Sequence, residues 1–140
     1  MRILFTVFTV CLLAGCERVN FVKREGLSVA ERARAIAVLH KNAAALNAGD
    51  IEALERTIHS ESPEVADNAQ EQIVRFLPTV TLRGLKVVAE KQAEIVVEYE
   101  QTVEVKRGSL PFGSVVVQTT LARDGGRWGI FSTRPIRFIR

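Results

Sequence analysis

The spacing of the apolar residues changes at Thr79, and that change constrains the fold more than any other feature of the chain. Before it, apolar side chains recur at helical intervals; after it, they alternate. The clearest alternation runs from Ile95 to Val105. Ile95, Val97, Tyr99, Gln101, Val103 and Val105 point one way, and Glu94, Val96, Glu98, Glu100, Thr102 and Glu104 the other. Such a strand has one face on a core and a largely acidic face in water. A second strand is predicted from about Ser114 to Arg123, and the turn signal RDGG leads into a third over Arg127 to Thr133. Connections this short make the sheet antiparallel. The segment after Thr79 slips in parity: Val80 and Leu82 share one face, while Leu85, Val87 and Ala89 share the other. A β-bulge at Gly84 explains the slip and bends the strand.

The helical half has its own punctuation. Ser28 to Glu31 has the S-x-x-E form of a capping box, so a helix is predicted to start there. Val29, Ala33, Ile36, His40, Ala43 and Asn47 form its stripe, Leu39 and Leu46 lie beside it, and Gly49 stops it. Asp50 caps a short second helix with Ile51, Leu54 and Ile58 inward. Ser62 and Pro63 open a third with Val65, Ala69, Ile73 and Phe76 on one side, and Pro78 ends it. The predicted fold class is therefore α+β, with N-terminal helices packed on a curved antiparallel sheet of about four strands. At 140 residues, 25% of them charged, one such domain buries enough surface to need no metal or disulfide staple.

Residues 1–15 carry one charge, Arg2, and then an apolar run too short to cross a bilayer of roughly 30 Å, which reads as a secretory signal. The run ends in Leu13, Ala14, Gly15 and Cys16. This resembles the lipobox of bacterial lipoproteins, in which the cysteine thiol receives diacylglycerol. An ordinary signal peptide with a chance cysteine, or a buried N-terminal strand, is the alternative. The resemblance implies a signal peptide over residues 1–15, a lipidated Cys16 with a tether to residue 27, and a folded domain over residues 28–140. It also implies a membrane partner and a cell-envelope address: the outer membrane facing the periplasm in a Gram-negative cell. Removing Arg2 leaves 18 basic against 16 acidic residues, a balance of +2. Charges so interspersed argue against nucleic acid as a partner.

Helices followed by a bent meander, with ALNAGDIEAL at the first helical junction and GRWGI near the end, resemble the nuclear transport factor 2-like superfamily. The resemblance covers roughly Ser28 to Thr133. It implies a cone of cystatin/nuclear transport factor 2-like form, a group that includes ketosteroid isomerase, scytalone dehydratase and polyketide cyclases beside non-catalytic domains. Counted as in ketosteroid isomerase, Asn42 occupies the place of its oxyanion-donating tyrosine; the general-base aspartate has no matching position.

The inward line carries polar points, Tyr99, Gln101, Thr119 and Ser132, facing His40 and Asn42 on the first helix, with Trp128 among the apolar contacts. Convergent polar groups in an apolar concavity are how small-ligand sites are built. His40 is either a pocket acid or base or a structural histidine; His59 reads as a cap on the second helix. No catalytic residue, metal site or cofactor is assigned, because two distant histidines and no remaining cysteine offer no ligand set. Neither a nucleophile elbow nor a phosphate loop occurs. The first reading is a non-catalytic domain that binds a small apolar ligand or an envelope protein. Alternatives are an isomerase, dehydratase or cyclase of the same fold, and a structural homodimer through the sheet face.

Overall fold

A computed structural model of the chain describes residues 26–140. Three helices, α1 (Val29–Ala48), α2 (Ile51–Glu55) and α3 (Pro63–Phe76), precede four strands, β1 (Pro78–Lys91), β2 (Glu94–Val105), β3 (Ser114–Asp124) and β4 (Arg127–Ile139). The sheet order is β1-β2-β3-β4, every pair antiparallel. The α+β architecture is as expected. Cys16 and the lipobox lie outside the described residues.

Local signals place the helix ends. Ser28 Oγ accepts from Glu31 N at 3.1 Å, and Gly49 closes α1 in the left-handed conformation, φ +65°. Asp50 caps α2 by accepting from Ala53 N at 3.0 Å. Ser62 precedes Pro63 as expected, but its hydroxyl makes no helix cap; it donates to Phe131 O at 2.7 Å and is buried.

The inward face of α1 is rotated from the expected stripe. Ala35, Val38, Leu39, Ala45 and Leu46 are buried, whereas Val29 is 79% exposed and His40 and Asn47 are exposed. Alanine recurs around this helix and favours it without giving it a direction. The large side chains Val38, Leu39 and Leu46 then decide which face packs. In α2, Leu54 and Ile58 point inward, but Ile51 is 38% exposed.

Beneath the helices, Ile95, Val97, Val115, Val117 and Leu121 line the concave face of the sheet and are buried with Leu39 and Leu54. Each such side chain removed from water contributes about 1.5–3 kcal/mol. Gly84 has φ +63°, and the β1–β2 register shifts between Arg83 and Lys86. This is the bulge that the parity slip predicts. Gly125, φ +66°, turns the expected hairpin between β3 and β4.

β4 departs most from its expectation. It continues past Thr133 to Ile139, and its register against β3 shifts twice, leaving Phe131 and Ile136 unpaired. Bulges and Pro135 make this outer strand a poor template for another chain. The opposite edge is covered locally: Asn47 Nδ2 donates to Val80 O at 3.0 Å, and Val80 N donates to Asn47 Oδ1 at 2.6 Å. The side chain of Asn47 thus stands where a neighbouring strand's peptide group would.

Two carboxylates clasp the start of α1 to the hairpin end of the sheet. Glu31 does not return to Ser28 as a full capping box would; Trp128 Nε1 donates to its Oε2 at 3.0 Å and Arg123 Nη2 at 2.6 Å. Glu90 accepts from Arg32 at 2.9 and 3.0 Å and from Leu27 N at 3.0 Å. The hydrogen bond from Trp128 is the largest cause that pulls the Glu31 carboxyl below its ordinary pKa, as Arg32 does for Glu90 and the Ser60 backbone N–H for Asp124. A carboxyl with a depressed folded pKa adds stability above its unfolded value, about 4, and loses it as pH falls through the folded value. The melting temperature should therefore drop on acidification below about pH 4, and Glu31→Gln should lower it at neutral pH while flattening that drop. An acid slope in Glu31→Gln equal to that of wild type would show that the clasp is not what titrates.

Candidate functional site

Between α1, α3 and the concave face of β2, β3 and β4 lies an open cavity of about 400 Å³, within the range of small-ligand sites. Its rim is built by Leu110 and Phe112 of the β2–β3 connection, with Phe76 and Phe138; the rings of Phe112 and Phe138 are 4.9 Å apart. Leu46, Ile58, Val65, Val103, Val117 and Ile130 supply apolar wall. The lining contains no charged side chain.

Polar groups inside are chained to one another. Tyr99 Oη and Thr119 Oγ1 are hydrogen bonded at 2.8 Å, and Thr119 Oγ1 and Thr133 Oγ1 at 2.9 Å. Thr119 is fully buried beneath the two residues that reach the cavity. Burial pushes the Tyr99 phenol pKa up, away from neutral pH. Asn42 Nδ2 donates to Thr57 Oγ1 at 2.8 Å, and Thr57 Oγ1 donates to Leu54 O at 2.6 Å. The carboxamides of Asn68, Gln72 and Gln101, by contrast, have no hydrogen-bond partner among the described residues, and all three line the cavity.

Of the residues expected to converge, Asn42, Tyr99 and Gln101 line the cavity, with Thr119 behind Tyr99. The other three do not. His40 is on the solvent side of α1. Ser132 pairs with Thr120 on the outer face, because the bulge at Phe131 reverses the alternation that Trp128 and Ile130 begin; Thr133 takes the inward place opposite Thr119. Trp128 is buried at the other end of the domain, under Glu31 and with Arg123 stacked 5.0 Å above its ring. Sequence reading missed Thr133, Asn68, Gln72, Phe112 and Phe138. Asn68 and Gln72 carried a usable signal: they flank Ala69 on the α3 stripe. The inward turn of Thr133 depends on the bulge at Phe131, which no residue type marks, and Phe138 lies beyond Thr133, where the expected strand ended.

His59 is not a helix cap either. Its ring is buried, Glu61 N donates to Nδ1 at 3.1 Å, and the Nε2–H left by that arrangement donates to Arg123 O at 2.9 Å. Ser60 and Asp124 lie close by, Ser60 Oγ donating to Asp124 Oδ1 at 2.9 Å. The resemblance to a hydrolytic triad ends there, because both imidazole nitrogens are committed to backbone groups and neither is aimed at a hydroxyl. No group of three or more histidine, cysteine, aspartate or glutamate side chains among the described residues is placed to hold a metal.

The family model of the anti-sigma-I factor RsgI9 C-terminal domain matches residues 37–139, from the middle of α1 to the end of β4. The chain belongs to that family. Solved structures resemble this RsgI9 C-terminal-type domain at low identity. A protein of unknown function with a cystatin-like fold from Nostoc punctiforme aligns with TM-score 0.64 and 14% identity, over 79% of this chain and 92% of its own. Bd1075 of Bdellovibrio bacteriovorus aligns with TM-score 0.62 and 14% identity over 80% of this chain, which spans 45% of Bd1075. RPA3114, a SEC-C motif containing protein from Rhodopseudomonas palustris, aligns with TM-score 0.52 and 20% identity over 72% of this chain and 77% of its own. Likeness at these identities establishes the cystatin-like fold alone. No curated protein matches the sequence.

Proposed function

We propose that this is a non-catalytic recognition domain of the nuclear transport factor 2-like kind, tethered outside the cytoplasm through a lipidated Cys16, and that its cleft binds an uncharged, apolar ligand or partner segment. The observation that carries the reading is the lining itself: apolar walls, amides at the mouth and no charge. Acid–base catalysis needs a group that exchanges a proton near the working pH. Tyr99 is the one ionisable side chain of the lining, and burial moves it the wrong way. That argues against the isomerase and dehydratase alternatives. The family is named for an anti-sigma-I factor, RsgI9, and that name supports a partner-binding role for this domain over a catalytic one. Leu27, where the proposed tether meets the domain, is bonded to Glu90 at the end of the sheet opposite the β2–β3 rim.

Mass spectrometry of membrane-extracted protein, intact and native, tests both halves. Intact mass should show loss of residues 1–15 with acyl mass on Cys16. Under native conditions the domain should take up the neutral dye N-phenyl-1-naphthylamine, and Ala69→Phe, which fills the cleft from α3, should weaken uptake by about tenfold or more, with the fold intact. An unmodified Cys16 removes the anchor and leaves the cleft; a wild-type domain that admits no apolar probe removes the cleft.

A further inference from the structure

We infer that the cleft takes an extended, uncharged apolar peptide segment, whose backbone is paired by the carboxamides of Asn68, Gln72 and Gln101. This deepens the recognition reading above and rests on it.

The first argument is chemical matching. A peptide group carries one donor and one acceptor, and burying either without a partner is costly. A carboxamide is the neutral side chain that offers both in one plane. Three of them stand at this cleft with no protein partner among the described residues, Asn68 and Gln72 exposed to water on the α3 wall and Gln101 half-buried on the β2 wall. The hydroxyls deeper in the cleft are already bonded to one another. They leave the amides as the groups open to a ligand.

The second argument is spacing. Asn68 and Gln72 are four residues apart on α3, an advance of about 6 Å along the helix. Two residues of an extended chain advance about 6.6 Å. Successive peptide groups on one side of such a segment therefore arrive opposite successive carboxamides, and Phe76 one turn further meets the next position. Alternate side chains then face the apolar wall of Val103, Val117 and Ile130.

Charge and topology narrow the ligand. An uncharged lining disfavours acidic or basic segments, whose desolvation nothing here repays. A neutral sugar would leave most of its hydroxyls against aliphatic wall, and a simple hydrocarbon would make no use of the amides at the mouth. Strand addition is hindered at Val80 of β1 by Asn47 and along β4 by its bulges and Pro135.

The test uses the full chain with three probes: a blocked tetrapeptide of valine and leucine, the same peptide with alternate backbone nitrogens methylated, and N-phenyl-1-naphthylamine. Titration calorimetry and amide chemical shifts should show the tetrapeptide in the cleft and its methylated form about tenfold weaker, because methylation deletes donors without deleting apolar surface. Gln72→Leu and Gln101→Leu should each weaken the tetrapeptide by about tenfold while the dye, which gains apolar wall, binds no more weakly, with melting temperatures near wild type. Equal binding of the two peptides, or full peptide affinity in both variants, overturns the backbone pairing while dye uptake keeps the cleft. Displacement of the dye by a neutral oligosaccharide but not by the tetrapeptide also overturns it. Failure of all three probes takes the recognition reading down with it.

Discussion

Replacing Gly129 with alanine should destabilise the domain by about 3 kcal/mol, near the upper end of ordinary overpacking, and valine there should leave it unfolded. Gly129 is buried in β4, and a Cβ at this position would stand 2.8 Å from both Cα and N of His59 and 3.2 Å from the carbonyl carbon of Ile58. These are backbone atoms, so no side-chain rotation relieves the clash. The approach is close because two hydrogen bonds hold the 57–59 segment against the strand: His59 N donates to Ile130 O at 2.9 Å and Ile130 N to Thr57 O at 2.8 Å. Making room for a methyl group means losing one or both. The measurement is thermal unfolding by circular dichroism, where that cost corresponds to a fall of roughly 10 °C or more for a domain of this size. A Gly129→Ala domain melting within about 2 °C of wild type would show slack in the segment that the geometry does not reveal.

Leu54→Ala should cost about 3 kcal/mol, within the 2–5 kcal/mol range for emptying a buried leucine site. Leu54 is fully buried, and α2, at five residues, cannot hold itself helical without such an anchor. Its carbonyl accepts from Thr57 Oγ1, which in turn accepts from Asn42 in the wall of the cleft. A loosened α2 should therefore also weaken uptake of apolar probes. Ile51→Ala on the same helix is the control: at 38% exposure it should cost less than about 1 kcal/mol. Equal urea midpoints for Leu54→Ala and Ile51→Ala would mean that α2 is not anchored through Leu54.

Much of this architecture was legible wherever a single residue answers a local demand. Gly49 and Gly125 adopt positive φ where a helix stops and a hairpin turns, and Gly84 does so where parity slips in β1. Ser28 and Asp50 satisfy first-turn amides of the helices that follow them. The alternation of Ile95, Val97 and Tyr99 told which face of β2 is core, and all three are buried. These signals act over a few residues, where backbone dihedrals and side-chain type are tied directly.

The cleft was legible only in part, because its residues meet across distances that no local rule spans. Tyr99 and Gln101 reach the cavity on the face that the alternation of β2 gave them, and Asn42, singled out through the ketosteroid isomerase resemblance, lines it from α1; the tetrapeptide and dye titrations bear on what they bind. His40 was misplaced because an alanine-rich helix favours the helical state equally on every face, so the sheet chose which side to bury. Ser132 was misplaced because one unpaired residue, Phe131, inverts the alternation of β4 until the second bulge at Ile136 restores it, and a bulge without glycine leaves no mark in composition. His59 and Glu31 carried local meanings, a dipole cap and a capping box, that partners far along the chain, Arg123 and Trp128, overrode. By itself the sequence determined the order and type of elements, the helix stops and the bend in β1, since each follows from contacts within a turn or two. Tertiary structure alone decided the face of α1, the register of β4 and the uncharged lining of the cleft, since each is settled by which distant surfaces can be buried together.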